Sequence, residues 1–144
     1  MANVRALNKD KYNISNYRFK ELYYFCLQYG EWRNVLIEKR NPMQATQYTG
    51  MPTAGNSIGN PTEGNAIECV EYSSKCAAVE LAAKIADPEL YQYIIYAVTN
   101  EGTTFKYLKM QKNIPCERDR YYDRRRKFFY ILDKILRNKK IETI

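Results

Sequence analysis

Within ten residues, "RDRYYDRRRK", the chain places Arg118, Arg120, Arg124, Arg125, Arg126 and Lys127. A guanidinium is a planar fork of N–H donors that fits two phosphate oxygens or the O6/N7 edge of guanine. Near the start of one helix, Arg118, Arg120 and Arg124 have the reach for such bidentate contacts. Tyr121, between that helix's two faces, has a ring suited to packing on a sugar or a thymine methyl. Lys106, Lys109 and Lys112 lie just upstream as compact charges able to neutralise flanking phosphates, as do Arg126 and Lys127. The chemistry of this stretch is the holding of a polyanion. If about six phosphates were neutralised, affinity would fall roughly as the fifth power of salt.

Other chemistries find little support. There is no histidine, which removes the usual general base and the commonest metal ligand. Cys26, Cys69, Cys76 and Cys116 form no Cys-x-x-Cys pair. Cys69 and Cys76 are seven apart on one predicted helix, roughly 10 Å along its axis, too far for a disulfide. Ser73 and Ser74 have no nucleophile elbow around them, and the glycines of residues 41–60 form no phosphate loop. The adjacent Tyr121 and Tyr122 lack the metal ligands or Arg-His-Arg set that tyrosine chemistry on DNA would need. A non-enzyme without metal or cofactor is expected.

Charge points to one end of the chain. Residues 104–140 hold thirteen Lys/Arg against four Asp/Glu, whereas residues 1–103 hold ten against eleven. Such asymmetry is expected where one segment meets a polyanion. At 144 residues with 45% hydrophobic and 27% charged residues, the composition is globular and able to bury a core. With no eighteen-residue apolar run and no apolar leader, the chain reads as cytoplasmic and makes no membrane contact.

The elements that must position these residues are helical. Ser15 is a candidate N-cap, and Phe19, Leu22, Tyr23, Cys26 and Tyr29 recur at helical spacing. Gly30 is expected to interrupt this helix, which resumes with Trp32 and Leu36 to about residue 40. Residues 41–60, "NPMQATQYTGMPTAGNSIGN", lose periodicity and charge and read as a flexible linker. Asn60-Pro61-Thr62-Glu63 starts a second helix whose stripe of Ile67, Val70, Ala77, Leu81 and Ile85 is expected to pack on another helix. Asp87-Pro88-Glu89 repeats the start signal. Leu90, Tyr91, Ile94, Ile95 and Val98 form the next apolar face, stopped by Asn100 and Gly102. A short helix opened by Thr103 or Thr104 follows, then the break "IPC" and a last helix over about 116–137.

Three helices with a short break before the last outline a helix-turn-helix at about 104–137. At 100° per residue, Tyr121, Tyr122, Phe128, Phe129, Leu132, Ile135 and Leu136 gather on one side. Arg120, Asp123, Arg124, Arg126 and Lys127 fall largely opposite. A recognition helix has this gradient, basic where it enters the groove and apolar where the domain holds it. Arg125 lies near the core face, where an ion-pair role competes with DNA contact. Glu117, Asp119 and Asp123 favour the helix dipole but repel phosphate.

Taken together, "YRFKELYYFCLQYGEW", the linker leading to "NPTEGNAI", and "IPCERDRYYDRRRKFFYIL" resemble the RinA/ArpU-like late transcriptional regulators of Gram-positive phages and prophages, with a sigma-region-4-like helix-turn-helix. The first motif helix, "GTTFKYLKMQKN", departs from their glycine, aromatic and isoleucine-alanine run. The resemblance implies a phage-type DNA-binding regulator in a bacterial cell, with Arg118, Tyr121, Tyr122, Arg124 and Arg125 on the recognition helix. The expected fold is all-α: an N-terminal helical arm over 1–40, a linker over 41–60, and a helical domain over 61–144 carrying the helix-turn-helix. Expected partners are double-stranded DNA, with host RNA polymerase or another host protein as a further one, and a homodimer joined through the N-terminal helices. A second class stays open: a phage-encoded inhibitor, anti-CRISPR-like or anti-host, whose contact surface is the aromatic N-terminal helix and the loop 41–60. A DNA-packaging or scaffolding component is a third.

Overall fold

Ser15 opens the first helix as its type suggests: its hydroxyl accepts from the Arg18 N–H at 3.1 Å. The computed structural model describes residues 12–40 and 59–142, and every regular element among them is an α-helix. These are α1 (Asn16–Leu27), α2 (Tyr29–Arg40), α3 (Gly59–Ala86), α4 (Tyr91–Thr99), α5 (Phe105–Lys112) and α6 (Arg118–Glu142). The expected linker over 41–60 lies outside the described residues except for its last two, which already belong to α3. No described helix is long and apolar enough to cross a membrane.

The break between α1 and α2 falls at Gln28 rather than Gly30. The Gln28 N–H turns back to the Phe25 carbonyl at 3.2 Å, tightening the last turn, while Gly30 sits inside the first turn of α2. Proline ends α3: Asp87 closes the last helical bond to Ala83 at 3.1 Å, and Pro88 has no N–H for the next. A turn over residues 88–90 leads into α4. At its end the Asn100 amide donates to the Tyr96 carbonyl at 2.9 Å, and Gly102 takes a φ of +83°, which its missing Cβ allows.

The larger of two compact units comprises Met1–Gln28 and Ala77–Ile144. In it α1, α4 and α6 pack on one another. Phe19, Leu22 and Cys26 of α1, Leu90 and Ile94 at α4, and Phe128, Phe129 and Leu132 of α6 are all buried. Phe19 meets Phe129 edge-on with centroids 4.9 Å apart. Beside them the buried Asp133 carboxylate accepts from Arg18 of α1 at 2.6 Å and from Arg137 one turn on at 3.0 Å. The smaller unit, Tyr29–Cys76, stacks Trp32 on Tyr72 at 6.3 Å with the Lys75 ammonium 5.2 Å from the Trp32 ring. Lys39 and Glu68 form an ion pair there.

The packing face of α3 differs from expectation. The stripe Ile67, Val70, Leu81 and Ile85 is exposed, Ile67 by 65% and Val70 by 70%. Cys76, Ala78, Val79, Ala82, Ala83 and Ala86 are buried instead. Small side chains let a helix backbone come close to whatever packs against it, which favours burial of a face rich in alanine. Truncating the aromatic joint, Phe129→Ala, is expected to lower unfolding free energy by about 3–5 kcal/mol through transfer and cavity terms, read as a lower urea midpoint.

Candidate nucleic-acid interface

Caps and a left-handed turn set the geometry of the α5–α6 corner. The Thr104 hydroxyl accepts from the Tyr107 N–H at 3.1 Å, fixing the start of α5. Asn113 ends it at φ 56°, a conformation that asparagine tolerates, and the Ile114 N–H returns to the Leu108 carbonyl at 3.2 Å. The Lys109 ammonium lies across the connector, donating to the carbonyls of Ile114 at 3.5 Å and Cys116 at 3.4 Å. This lysine thus faces backbone dipoles at the turn. Ile114 and Cys116 are buried, and burial pushes the Cys116 thiol up from its ordinary value.

The face of α6 turned to the core is the one expected, with one correction. Phe128, Phe129 and Leu132 are buried, and Ile135 and Leu136 are half-buried. Tyr121, expected at the border with its ring toward a sugar or thymine, is 1% exposed and packed between Phe105 (5.7 Å) and Tyr122 (4.9 Å). Burial pushes its phenol up to about 12. It holds α5 to α6 and cannot touch a duplex in this arrangement.

Arg120 and Arg124 also point elsewhere. Both reach Oδ2 of Asp87, a residue only 5% exposed where α3 gives way to α4. Arg120 does so through Nη2 at 3.0 Å and Nε at 3.3 Å, and Arg124 through Nε at 3.2 Å. Arg120 further meets Glu89 at 3.3 Å, and Arg124 meets Asp123 at 3.3 Å. The other Asp87 oxygen accepts from the backbone N–H groups of Glu89 (2.9 Å) and Leu90 (3.2 Å). Burial opposes ionisation of Asp87, but the Arg120 hydrogen bond and these two N–H groups outweigh it and hold its carboxyl below the ordinary value. Two guanidiniums therefore face three carboxylates, so this patch carries no net positive charge. Sequence reading treated Asp87 only as a helix-start residue. Paired arginines one turn apart did signal a missing counter-charge, though nothing in their spacing named the acid.

The remaining candidates are disposed in two ways. Some lie on aromatic rings: Arg118 5.8 Å from the Phe105 centroid, Arg125 5.3 Å from Phe129, and Lys112 4.6 Å from Tyr96. Arg125 makes this ring contact, and the ion pair expected of it is not found among the described residues. Lys106, exposed, and Arg126 and Lys127, half-buried, meet no carboxylate among the described residues. No group of three or more Cys, Asp or Glu among the described residues could hold a metal ion. No family model, curated protein or solved structure matches this chain.

Asp87→Asn keeps an acceptor for the turn but leaves two part-exposed guanidiniums without their buried partner. The expected loss is roughly 1–3 kcal/mol at neutral pH, allowing for solvent screening of the arginines. Because the folded carboxyl titrates below its unfolded value of about 3.9, the wild-type advantage is complete above that value. It is lost as pH falls through the depressed one. Urea titrations of both proteins at pH 7 and at successively lower pH should show their midpoints converging only in the acid range.

Proposed function

We propose that this chain is a phage-type DNA-binding regulator, a non-enzyme acting inside the bacterial cell, that grips the duplex mainly through phosphates. The observation that carries this is the sign of the charge on the α5–α6 corner. From Thr103 to Cys116 there is no acidic residue, while Lys106, Lys109 and Lys112 fall on that stretch. Arg118 follows on the Phe105 ring, and Arg126 and Lys127 follow without a described carboxylate partner. A cation resting on an aromatic ring keeps its charge and part of its donor set, so it remains able to meet a phosphate. Phosphate contacts set register and affinity without reading sequence. Base reading by Arg120 and Arg124 would require exchanging Asp87, Glu89 and Asp123 for guanine, and the proposal assigns them no such role. The likeness to RinA/ArpU-like regulators agrees with this reading and adds transcription as its context.

The pairing of Arg120 and Arg124 with carboxylates is the one observation that favours the rival reading, a phage-encoded inhibitor that binds a host protein. The two separate by salt dependence. If Lys106, Lys112, Arg118, Arg126 and Lys127 each displace a counterion, binding of a random-sequence duplex should weaken with a log–log salt slope of about −4 to −5. Lys106→Ala and Arg126→Ala should each reduce that slope by about one. A protein that leaves duplex DNA free at low salt, as read by fluorescence anisotropy, would defeat the regulator reading and leave the inhibitor.

A further inference from the structure

Facing tyrosines bridge α4 and α5 beside this corner. The rings of Tyr96 and Tyr107 run parallel, 10° between planes and 6.0 Å between centroids, with their hydroxyl oxygens 3.3 Å apart. The Lys112 ammonium sits 4.6 Å from the Tyr96 centroid. Both tyrosines have their backbones pinned. The Tyr96 carbonyl accepts from Asn100, and the Tyr107 N–H donates to the Thr104 hydroxyl. Tyr107 is exposed and Tyr96 half-buried, so the cluster lies at the surface rather than in the core.

We infer that Tyr96, Tyr107 and Lys112 form a preformed binding notch for one phosphodiester of a DNA backbone. The inference rests on the duplex-binding reading above and deepens it by naming a contact. The chemistry follows from counting hydrogens. Each neutral phenol has one, and a hydroxyl pair that shares a hydrogen bond uses one of the two. One O–H is left to donate outward, next to a positive charge. The Lys112 ammonium lies over the Tyr96 ring and Tyr107 runs parallel to it, so at Tyr96 the hydroxyl end beside a positive charge is what the pair offers. A nucleobase would need an open face to stack on, whereas a phosphate needs donors and positive charge. The capped backbones hold the group in place before any ligand arrives, which lowers the ordering cost of binding.

The test uses the full chain and a labelled random-sequence duplex of about two helical turns, titrated by anisotropy between roughly 50 and 200 mM salt. Tyr96→Phe with Tyr107→Phe removes both hydroxyls and keeps both rings. It should weaken binding about 10- to 150-fold at fixed salt, the range for a hydrogen bond to a charged group, with the salt slope unchanged. Lys112→Gln should instead lower the slope by about one. If the double variant melts early, Tyr107→Phe alone, at the more exposed ring, should still weaken binding several-fold. Wild-type-like binding by all three variants, alongside weakened binding by Lys106→Ala, would overturn the notch and spare the duplex reading. No duplex binding by the wild type would overturn both.

Discussion

A buried carboxylate has to be matched, and the arrangement of the larger unit follows from how Asp87 is matched. Removing an ionised group from water costs several kcal/mol in practice unless hydrogen bonds and opposite charge replace the lost hydration. Asp87 finds both: two backbone N–H groups from the turn it begins, and two guanidiniums from α6. The α3–α4 turn is thereby tied to the N-terminal half of α6, far from it in sequence. The hydrophobic contacts of Phe128, Phe129 and Leu132 secure the middle of the same helix, and Asp133 ties it to α1 through Arg18. Helix α6 is thus held to its unit by charge as well as by apolar packing.

This division of labour changes what the basic segment can do. A run of arginines suggests a uniform polyanion surface, but each guanidinium is spent according to its neighbours. Arg120 and Arg124 satisfy carboxylates, Arg125 lies on Phe129, and Lys109 closes the connector. In this segment, the cations that meet no carboxylate or carbonyl among the described residues are Lys106 and Lys112 of α5, the first residue of α6, and Arg126 with Lys127. On the proposed reading, such a set meets phosphates rather than bases. Arg120 and Arg124, two of the three arginines expected to reach guanine edges, are already engaged with carboxylates.

Much of the local structure was legible. Ser15 and Thr104 are capping types followed by apolar periodicity, and each caps as expected. Pro88 and Asn100 mark the ends of α3 and α4 because one lacks a donor and the other supplies a side-chain one. The apolar spacing of α6 predicted its buried face well, since a stripe of large residues has no other economical place to go. On α3 the same reasoning failed. Its two faces were both apolar enough to qualify, and only the closeness of the neighbours chose alanines over isoleucine and leucine. Tyr121 is buried on the core face that its spacing predicted, and its packing on Phe105 of α5 removes only the sugar or thymine contact also expected of it.

By itself the sequence determined the all-α class, most helix limits, the apolar face of α6 and the concentration of positive charge after residue 103. These depend on neighbours within a turn or two, and a chain's local order contains them. Only the tertiary structure decided which charges are already engaged and which stay open to a ligand. Asp87 lies thirty-three residues from Arg120, and Tyr96 eleven from Tyr107. Coulomb and hydrogen-bond energies depend on distance in space, and the folding that brings such residues together is a property of the whole core.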